Sequence, residues 1–359
     1  MSRNNNVLVV GTGTIGEPLI ALLCRLKDKL QIDEVVFHKR TPLVDEVAKV
    51  NSLISMGAKL AVNSDCVSSF QDLGHEVLYT WEEALDRSKA VIDCTPAGNE
   101  NKEKFYQNND YGRKLFVAQG SEKGFGIPYA LGITDTRVIE EEKGYVQVVS
   151  CNTHAIARLI SAISENSPST ISSGDFTCIR RANDVSQDGG FSPATSAGKH
   201  NDEIFGTHHA RDVNDLFNHH LPMPVFSSAL KTNTQYMHAV RFSIKIPEML
   251  SRADALQRLR DDEFVCMTKK MSANQIFSFG RDHGFYGRIY SQTVVCEDSV
   301  SVFHSEPYVS NVVGVSFTPQ DGNSLMSSVA MCLYGLHGNE ALYGNNYVPF
   351  LKEMMLQNV

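Results

Sequence analysis

The N-terminal part of the chain alternates short apolar runs with stretches in which apolar residues recur at helical spacing. The apolar runs have the length of strands and lie at 6–10, 34–37, 90–94, 115–118 and 145–150. Between them, apolar residues recur every three or four positions, as in the stretch from Leu19 to Leu26. Because predicted strands and helices alternate along this part of the chain, the pattern predicts a doubly wound parallel sheet.

The first apolar run leads directly into a glycine-rich turn with the pattern Gly-x-Gly-x-x-Gly. In such a turn the first glycine permits the tight bend, the second lets a pyrophosphate approach the backbone, and the third lets helix and strand pack closely. The alternative is a glycine turn that binds no ligand. The position between a strand and a helix favours a Rossmann domain whose pyrophosphate site contains Gly11, Gly13, Thr14, Ile15 and Gly16.

The second strand ends in a basic turn. A domain that binds NAD usually places an acidic residue there, which accepts a hydrogen bond from the ribose 2′-hydroxyl. Here Lys39 and Arg40 follow the strand, and the next carboxylate is Asp45. Two cations suit a 2′-phosphate, so we expect NADP to be preferred and NAD to be used as well. The alternative is a solvated basic turn.

Other strands of the predicted sheet also end in polar or glycine-containing loops. In doubly wound sheets, ligands bind beyond the carboxyl ends of the strands. We therefore expect the following residues to line the cofactor: Thr95, Pro96, Gln119, Gly120 and Ser121.

Cys151 lies where the run at 145–150 stops and a helical pattern begins. Asn152 or Thr153 is expected to be the N-cap of that helix. A helix N-terminus carries partial positive charge, which favours a thiolate and can lower the pKa of a thiol below its free value of about 8.5. The alternative is that Cys151 is a small buried residue. Its place beside the predicted cofactor site favours a catalytic thiolate.

The chain after residue 150 has a different pattern, with alternation typical of antiparallel strands. The runs 225–230 and 235–246 predict two strands paired with each other, and 170–181 predicts another. We expect helices at 248–259 and 325–336, and a long polar connection at 182–222. The predicted fold class is α/β, a Rossmann doubly wound parallel sheet plus an α+β catalytic domain with a mostly antiparallel sheet. The expected domains are 1–150, 151–318 and a C-terminal helical segment, 319–359, that packs back on the first.

Composition excludes several classes of protein. A formal charge of −8 and the lack of a basic run argue against nucleic acid as a partner. No apolar run is long enough to span a bilayer. The eight cysteines form no CxxC pair, so a disulfide framework is not expected and a reducing cytoplasm is the simplest compartment. Histidines are frequent at 200–220, but no neighbouring cysteine or HExxH spacing supports a metal site.

Several short motifs together resemble the archaeal-type (type II) glyceraldehyde-3-phosphate dehydrogenases. They keep the order and approximate spacing of that family and lie at 91–96, 119–123, 148–153, 179–181, 208–209 and 236–238. The resemblance implies an NAD(P)-dependent enzyme of glycolysis or gluconeogenesis that oxidises glyceraldehyde 3-phosphate to 1,3-bisphosphoglycerate, or the reverse, through a cysteine thioester. It implies a homotetramer with phosphorylated aldehyde and inorganic phosphate as its small-molecule partners.

The resemblance also assigns roles to single residues. It implies that Cys151 is the nucleophile and His238 the catalytic histidine, where the pattern alone would allow a buried core histidine. Arg181 falls in the cofactor region. Residues expected to contact substrate or phosphate are Ser150, Asn152, Thr153, Arg180, His208 and His209.

The chain departs from the family pattern at two positions shortly after the nucleophile. Where the family has Thr-Gly after Ser-Cys-Asn-Thr, this chain has His154 and Ala155, so a hydroxyl that can bind phosphate is replaced by an imidazole. Three alternatives therefore stay open. They are reduction of another acyl phosphate or semialdehyde, such as aspartate-semialdehyde or N-acetylglutamyl phosphate, a non-phosphorylating aldehyde dehydrogenase, and a non-catalytic NADP-binding protein.

Overall fold

The computed structural model describes residues 5–107, 114–120, 122–141, 144–183, 189, 192–218, 221–319, 321–343 and 347–359. The chain forms two compact units. The first contains 1–129, 136–148 and 327–349, and the second contains 130–135, 149–326 and 350–359. Within the described ranges, no helix is both long enough and apolar enough to cross a membrane.

The first unit is built on an eight-stranded sheet in which every pairing is parallel. Its strands are β1 Asn6–Val10, β2 Glu34–His38, β3 Lys59–Val62, β4 Tyr79–Thr80, β5 Ala90–Asp93, β6 Leu115–Gln119, β7 Ile127–Tyr129 and β8 Tyr145–Val148. The strand order is β4-β3-β2-β1-β5-β6-β8-β7. The order reverses between β1 and β5, which is where doubly wound sheets bind their ligands.

Helices connect the strands of this sheet. They are α1 Gly16–Leu26, α2 Val47–Ser55, α3 Val67–Asp72, α4 Trp81–Arg87, α5 Gly98–Asn101, which a π-helical turn Lys102–Tyr106 continues, and α6 Asp135–Glu141. α4 begins with a capping box in which Thr80 and Glu83 bond each other's backbone N–H groups. The central strand β1 is buried along its whole length, because helices cover both faces of a parallel sheet.

The second unit contains a mixed sheet in which antiparallel pairings prevail. Its strands are β9 Ser173–Arg180, β10 Ser196–Ala197, β11 Val225–Lys231, β12 His238–Ile246, β13 Val265–Thr268, β14 Thr293–Cys296, β15 Ser301–Glu306 and β16 Val309–Thr318. The order is β10-β11-β9-β12-β16-β14-β13, and β15 pairs with β16. The predicted fold class, a parallel Rossmann-type sheet plus a mostly antiparallel one, is confirmed.

The remaining helices are α7 Cys151–Ile163, α8 His208–Phe217, α9 Arg252–Asp261, α10 Ala273–His283, α11 Gly322–His337, α12 Glu340–Tyr343 and α13 Val348–Glu353. Every residue of α7 except Cys151 is buried. Its apolar side chains pack with those of β12, including Val240 and Phe242, in one core cluster. Cys151 is thus the one residue of this helix that is not buried.

Three local predictions differ from the structure. β11 and β12 do not pair with each other, because β9 lies between them and pairs with both. The connection 182–222 contains helix α8. Its helical pattern was not recognised because most of its residues are polar, although positions 209, 210, 213 and 216 are buried at helical spacing. The helix expected from residue 248 begins at Arg252, after the capping box of Ser251 and Asp254.

Candidate functional site

The glycine-rich turn of the first unit has the geometry of a pyrophosphate cradle. Gly11 has a φ of +92°, which favours glycine, and its N–H donates to the carbonyl of His38 at 3.0 Å. A Cβ on Gly16 would lie 2.0 Å from the Gly11 oxygen, whereas a Cβ on Gly13 would meet nothing within 4 Å. The second glycine therefore faces open space, at the start of α1, where Thr14 and Ile15 lead into the helix. These residues fit a dinucleotide.

The loop after β5 is organised by a buried carboxylate, Asp93, whose role the sequence did not reveal. One of its oxygens accepts hydrogen bonds from the Thr95 backbone N–H at 2.9 Å and hydroxyl at 2.6 Å. The other accepts from Asn101 and from the Tyr106 hydroxyl, each at 2.7 Å. These bonds fix the loop of Thr95 and Pro96 at the carboxyl edge of the sheet.

Gln119 and Gly120 follow β6 at the same edge. The Gln119 amide donates to the Ser328 hydroxyl at 2.8 Å, and its buried oxygen has no hydrogen-bond partner among the described residues. Gly120 has a φ of +71°, and its carbonyl accepts from Gln147 at 2.9 Å. Ser121, the third residue predicted here, lies outside the described residues.

The two cations after β2 have different environments. The Lys39 side chain is 8% exposed and forms an ion pair with Glu46. Arg40 is exposed and forms no ion pair within the described part of the chain. Glu46 was not predicted as a partner of Lys39, because it lies eight residues beyond the end of β2. A turn at Val44–Glu46 brings its carboxylate back to Lys39.

In the second unit, Cys151 is the first residue of α7. Ser150, rather than Asn152 or Thr153, is the N-cap, and its hydroxyl accepts from the Thr153 N–H at 3.4 Å. The expected N-cap was therefore wrong, because the helix begins two or three residues earlier than expected. The Asn323 amide donates to the Cys151 carbonyl at 3.0 Å. The thiol thus projects from a fixed helix N-terminus, where the unpaired N–H groups favour a negative charge.

The residues that follow Cys151 are held inside the unit. Asn152 is 3% exposed, and its side-chain oxygen accepts from the Thr318 hydroxyl at 3.0 Å. Thr153 is fully buried, and its hydroxyl lies 2.9 Å from that of Ser150. His154 is also fully buried, and its Nδ1 lies 3.0 Å from the Ser150 carbonyl. These three side chains brace the start of the helix, and the imidazole of His154 does not face solvent.

His238 opens β12 beside the end of β9. The Arg181 backbone N–H donates to its Nδ1 at 3.1 Å. Burial, and then the cations of Arg181 and Arg180, lower the pKa of His238 from 6.5 to about 3. The ring is therefore neutral at physiological pH. Since Nδ1 accepts a hydrogen bond, the proton of the neutral ring lies on Nε2, which is then a donor.

Arg180 and two histidines at the start of α8 form a basic cluster in the same unit. Arg180 is exposed, and its charge contributes, after burial, to lowering the pKa of both His208 and His209. The two imidazole rings lie 4.0 Å apart. His209 is 3% exposed, yet neither of its ring nitrogens has a hydrogen-bond partner among the described residues. An anionic ligand bound here would pair with the cation of Arg180 and supply the hydrogen-bond partner that the buried imidazole lacks.

Arg181 lies in the second unit and its side chain is 5% exposed. Its guanidinium lies 3.8 Å from Asp321, whose other oxygen pairs with Arg288 at 3.1 Å. Asp321, Thr318 and Asn323 support the site from segments more than 130 residues away in sequence, where no short motif marks them. No group of three or more metal-ligating side chains comes together in the ranges that the structure describes.

The curated relatives that the chain matches here all have the same name. The chain is 29% identical over 305 residues to the glyceraldehyde-3-phosphate dehydrogenase of Sulfolobus acidocaldarius, covering 82% of each chain. It is 28% identical to that of Pyrobaculum calidifontis, covering 84% of this chain and 85% of the relative, and 26% identical to that of Methanocaldococcus jannaschii, covering 86% and 88%. No family model matches the chain. The resemblance found in the motifs is thus confirmed along most of the sequence: the chain is a divergent relative of the archaeal-type glyceraldehyde-3-phosphate dehydrogenases.

Proposed function

We propose that this protein is a phosphorylating aldehyde dehydrogenase that interconverts glyceraldehyde 3-phosphate and 1,3-bisphosphoglycerate. The observation that carries the proposal is the second unit's thiol at a helix N-terminus, accompanied by a neutral histidine and a basic cluster. The first unit supplies a cradle that fits a dinucleotide. Its relatives are named for this activity and match it over more than four fifths of its length.

Cys151 begins the reaction in this proposal. Its thiolate adds to the aldehyde carbon, the carbonyl π electrons move to oxygen, and a hemithioacetal oxyanion forms. The thiolate is the reacting form, so the addition itself transfers no proton. A dinucleotide held by Gly11, Gly13 and Gly16 of the first unit would supply the hydride acceptor for the oxidation of that carbon. The carbonyl then re-forms, and a thioester remains on Cys151.

His238 serves as a hydrogen-bond donor. With Nδ1 engaged by the Arg181 N–H, only Nε2–H is available, and it can stabilise the oxyanion as charge develops on oxygen. The strand register and the backbone N–H hold the ring in this tautomer before substrate arrives. Preorganisation of this kind removes the cost of reorienting a donor during the reaction.

The basic cluster of Arg180, His208 and His209 handles phosphate in this proposal. Arg180 offers an exposed guanidinium, which binds phosphate oxygens in a bidentate way. His209 offers a ring nitrogen that has no partner among the described residues. Inorganic phosphate held there attacks the thioester carbonyl carbon, an acyl phosphate forms, and the carbon–sulfur bond breaks to return the Cys151 thiolate.

The activity is tested by following reduction of NADP with glyceraldehyde 3-phosphate in the presence and absence of phosphate. We expect turnover to require phosphate and to be lost in Cys151→Ser. Cys24→Ser is the matched control, because Cys24 is also partly exposed but lies inside α1, where burial raises the pKa of its thiol to about 11. Turnover without phosphate would indicate a non-phosphorylating dehydrogenase. Dinucleotide binding without turnover of any aldehyde would indicate a non-catalytic protein.

We further propose NADP as the preferred cofactor, with NAD also used, and a homotetramer in the cytoplasm. The preference for NADP is supported by the two cations that follow β2, Lys39 and Arg40, of which Arg40 is exposed. Exposed aromatic side chains on the β15–β16 hairpin support association, since Phe303 is 48% and Tyr308 79% exposed. Light scattering of the purified protein measures the oligomeric state directly.

A further inference from the structure

A carboxylate between two lysines lies beside the glycine-rich turn of the first unit. Glu46 forms an ion pair with Lys39 through one oxygen and with Lys49 through the other, the latter at 2.6 Å. Lys49 also reaches the carbonyl of Thr12, between the first two glycines of the turn, at 3.5 Å. In Rossmann domains the adenosine ribose lies between this turn and the end of the second strand. The ion-paired group therefore lies where the ribose 2′-substituent is bound.

The two lysines differ in what they can do. Lys39 is 8% exposed and is held by Glu46, whereas the Lys49 side chain is 26% exposed. A carboxylate has about four acceptor positions, so Glu46 can bind both lysines and still accept one more hydrogen bond. Lys39 thus fixes the carboxylate, and Lys49 is the cation that can turn toward a ligand.

We propose, on the basis of the proposed function, that Glu46 and Lys49 decide which dinucleotide is bound. Glu46 accepts a hydrogen bond from the 2′-hydroxyl of NAD. Lys49 leaves Glu46 and donates, together with the exposed Arg40, to the 2′-phosphate of NADP. Because Glu46 competes with the phosphate for Lys49 and also repels it, the carboxylate limits the preference for NADP and preserves the use of NAD.

The pKa of Glu46 supports this arrangement. Burial alone would raise it, but the hydrogen bonds and charges of Lys39 and Lys49 outweigh burial and hold it below its usual value. The group is therefore a carboxylate, and an acceptor, at every pH at which the enzyme would be assayed.

The test compares dissociation constants of NAD and NADP for three variants. Trp81, the single tryptophan, lies with its ring centre 4.5 Å from that of His38 at the end of β2, so its fluorescence reports binding there. Glu46→Gln should weaken the binding of NAD by roughly tenfold, because it removes the charge-assisted hydrogen bond to the 2′-hydroxyl. The same change should strengthen the binding of NADP by roughly tenfold, because it frees Lys49 to bond the 2′-phosphate. Lys49→Met should weaken NADP about tenfold and leave NAD nearly unchanged.

Glu34→Gln is the matched control. Glu34 forms an ion pair with Lys59 at the opposite end of β2 and is similarly half-buried, so its loss changes the charge of the unit without touching the ribose site. The proposal is overturned if Glu46→Gln changes the NADP-to-NAD ratio no more than Glu34→Gln does. If the unmodified protein binds neither dinucleotide, the proposed function fails as well. Binding of both, with the ratio shifted only by the Glu46 and Lys49 changes, supports the assignment.

Discussion

The tautomer of His238 gives a sharp prediction for the variant His238→Asn. An asparagine side chain can still accept the Arg181 N–H, because its oxygen replaces Nδ1, but it offers nothing where Nε2–H was. The strand ends should therefore keep their structure while the oxyanion loses a donor. Loss of one such donor costs about 2.7–4 kcal/mol of transition-state stabilisation, which lowers kcat by a factor of about 100–1000.

The pH dependence separates a donor from a general base. Since the pKa of His238 is lowered to about 3, the ring does not change charge between about pH 5 and pH 9. We expect kcat/KM of the unmodified enzyme to rise with pH through ionisation of the thiol. His238→Asn should lower this profile uniformly and leave its midpoint in place.

Two measurements check this account. One is kcat/KM as a function of pH for both proteins, and the other is the nitrogen NMR spectrum of the histidine rings, in which the signal lost on His238→Asn is assigned. The ring should show a protonated Nε2 and an unprotonated Nδ1 in the absence of substrate. An acid limb with a midpoint near 6.5 that disappears in the variant would refute the argument, because His238 would then titrate as a base.

Three further predictions follow from the second unit. Burial lowers the pKa of His154 from 6.5 to about 4. Between about pH 6.5 and pH 4 the unfolded state therefore binds one more proton than the folded state, and stability falls as the pH decreases through this window. His154→Thr should reduce the slope of the unfolding free energy in this window by up to about 1.4 kcal/mol per pH unit, measured by urea denaturation. His209→Phe should raise the melting temperature of the free protein, since it removes two buried nitrogens that have no partner among the described residues. The same change should raise the KM for phosphate about tenfold. Iodoacetamide at neutral pH should modify Cys151 first, and mass spectrometry that found Cys24 or Cys66 modified earlier would contradict a thiolate at the helix start.

Much of the first unit could be predicted because its signals are local. A parallel strand is buried on both faces, so it appears as a continuous apolar run, and β1 and β6 were recognised in this way. The glycine turn was recognisable because Gly11 and Gly16 satisfy steric requirements that no other residue meets. The capping box of Thr80 likewise depends only on residues three positions apart.

Features that depend on distant parts of the chain could not be predicted. The Cys151 carbonyl is held by Asn323, and Asn152 by Thr318, and no spacing rule connects positions so far apart. The ion pair of Lys39 was missed for a different reason. A ribose-binding carboxylate is expected directly after β2, whereas a turn brings Glu46 back to that point from farther along the chain. Strand pairing in the mixed sheet was misjudged because β9 inserts between two strands that are neighbours in sequence.

The position of β9 next to β12 also explains how His238 is oriented in the site. β12 pairs with β9 in antiparallel register through Ala239 and Ile179, which places His238 opposite the last residue of β9 and next to the Arg181 N–H. If the register slipped by one residue, every side chain of β12 would change face. Val240 and Phe242 would then leave the core that they share with α7, at a cost of several kcal/mol for two buried apolar side chains. The apolar alternation of β12 therefore fixes more than packing: it holds the imidazole in reach of one backbone donor, and that donor determines which nitrogen carries the proton.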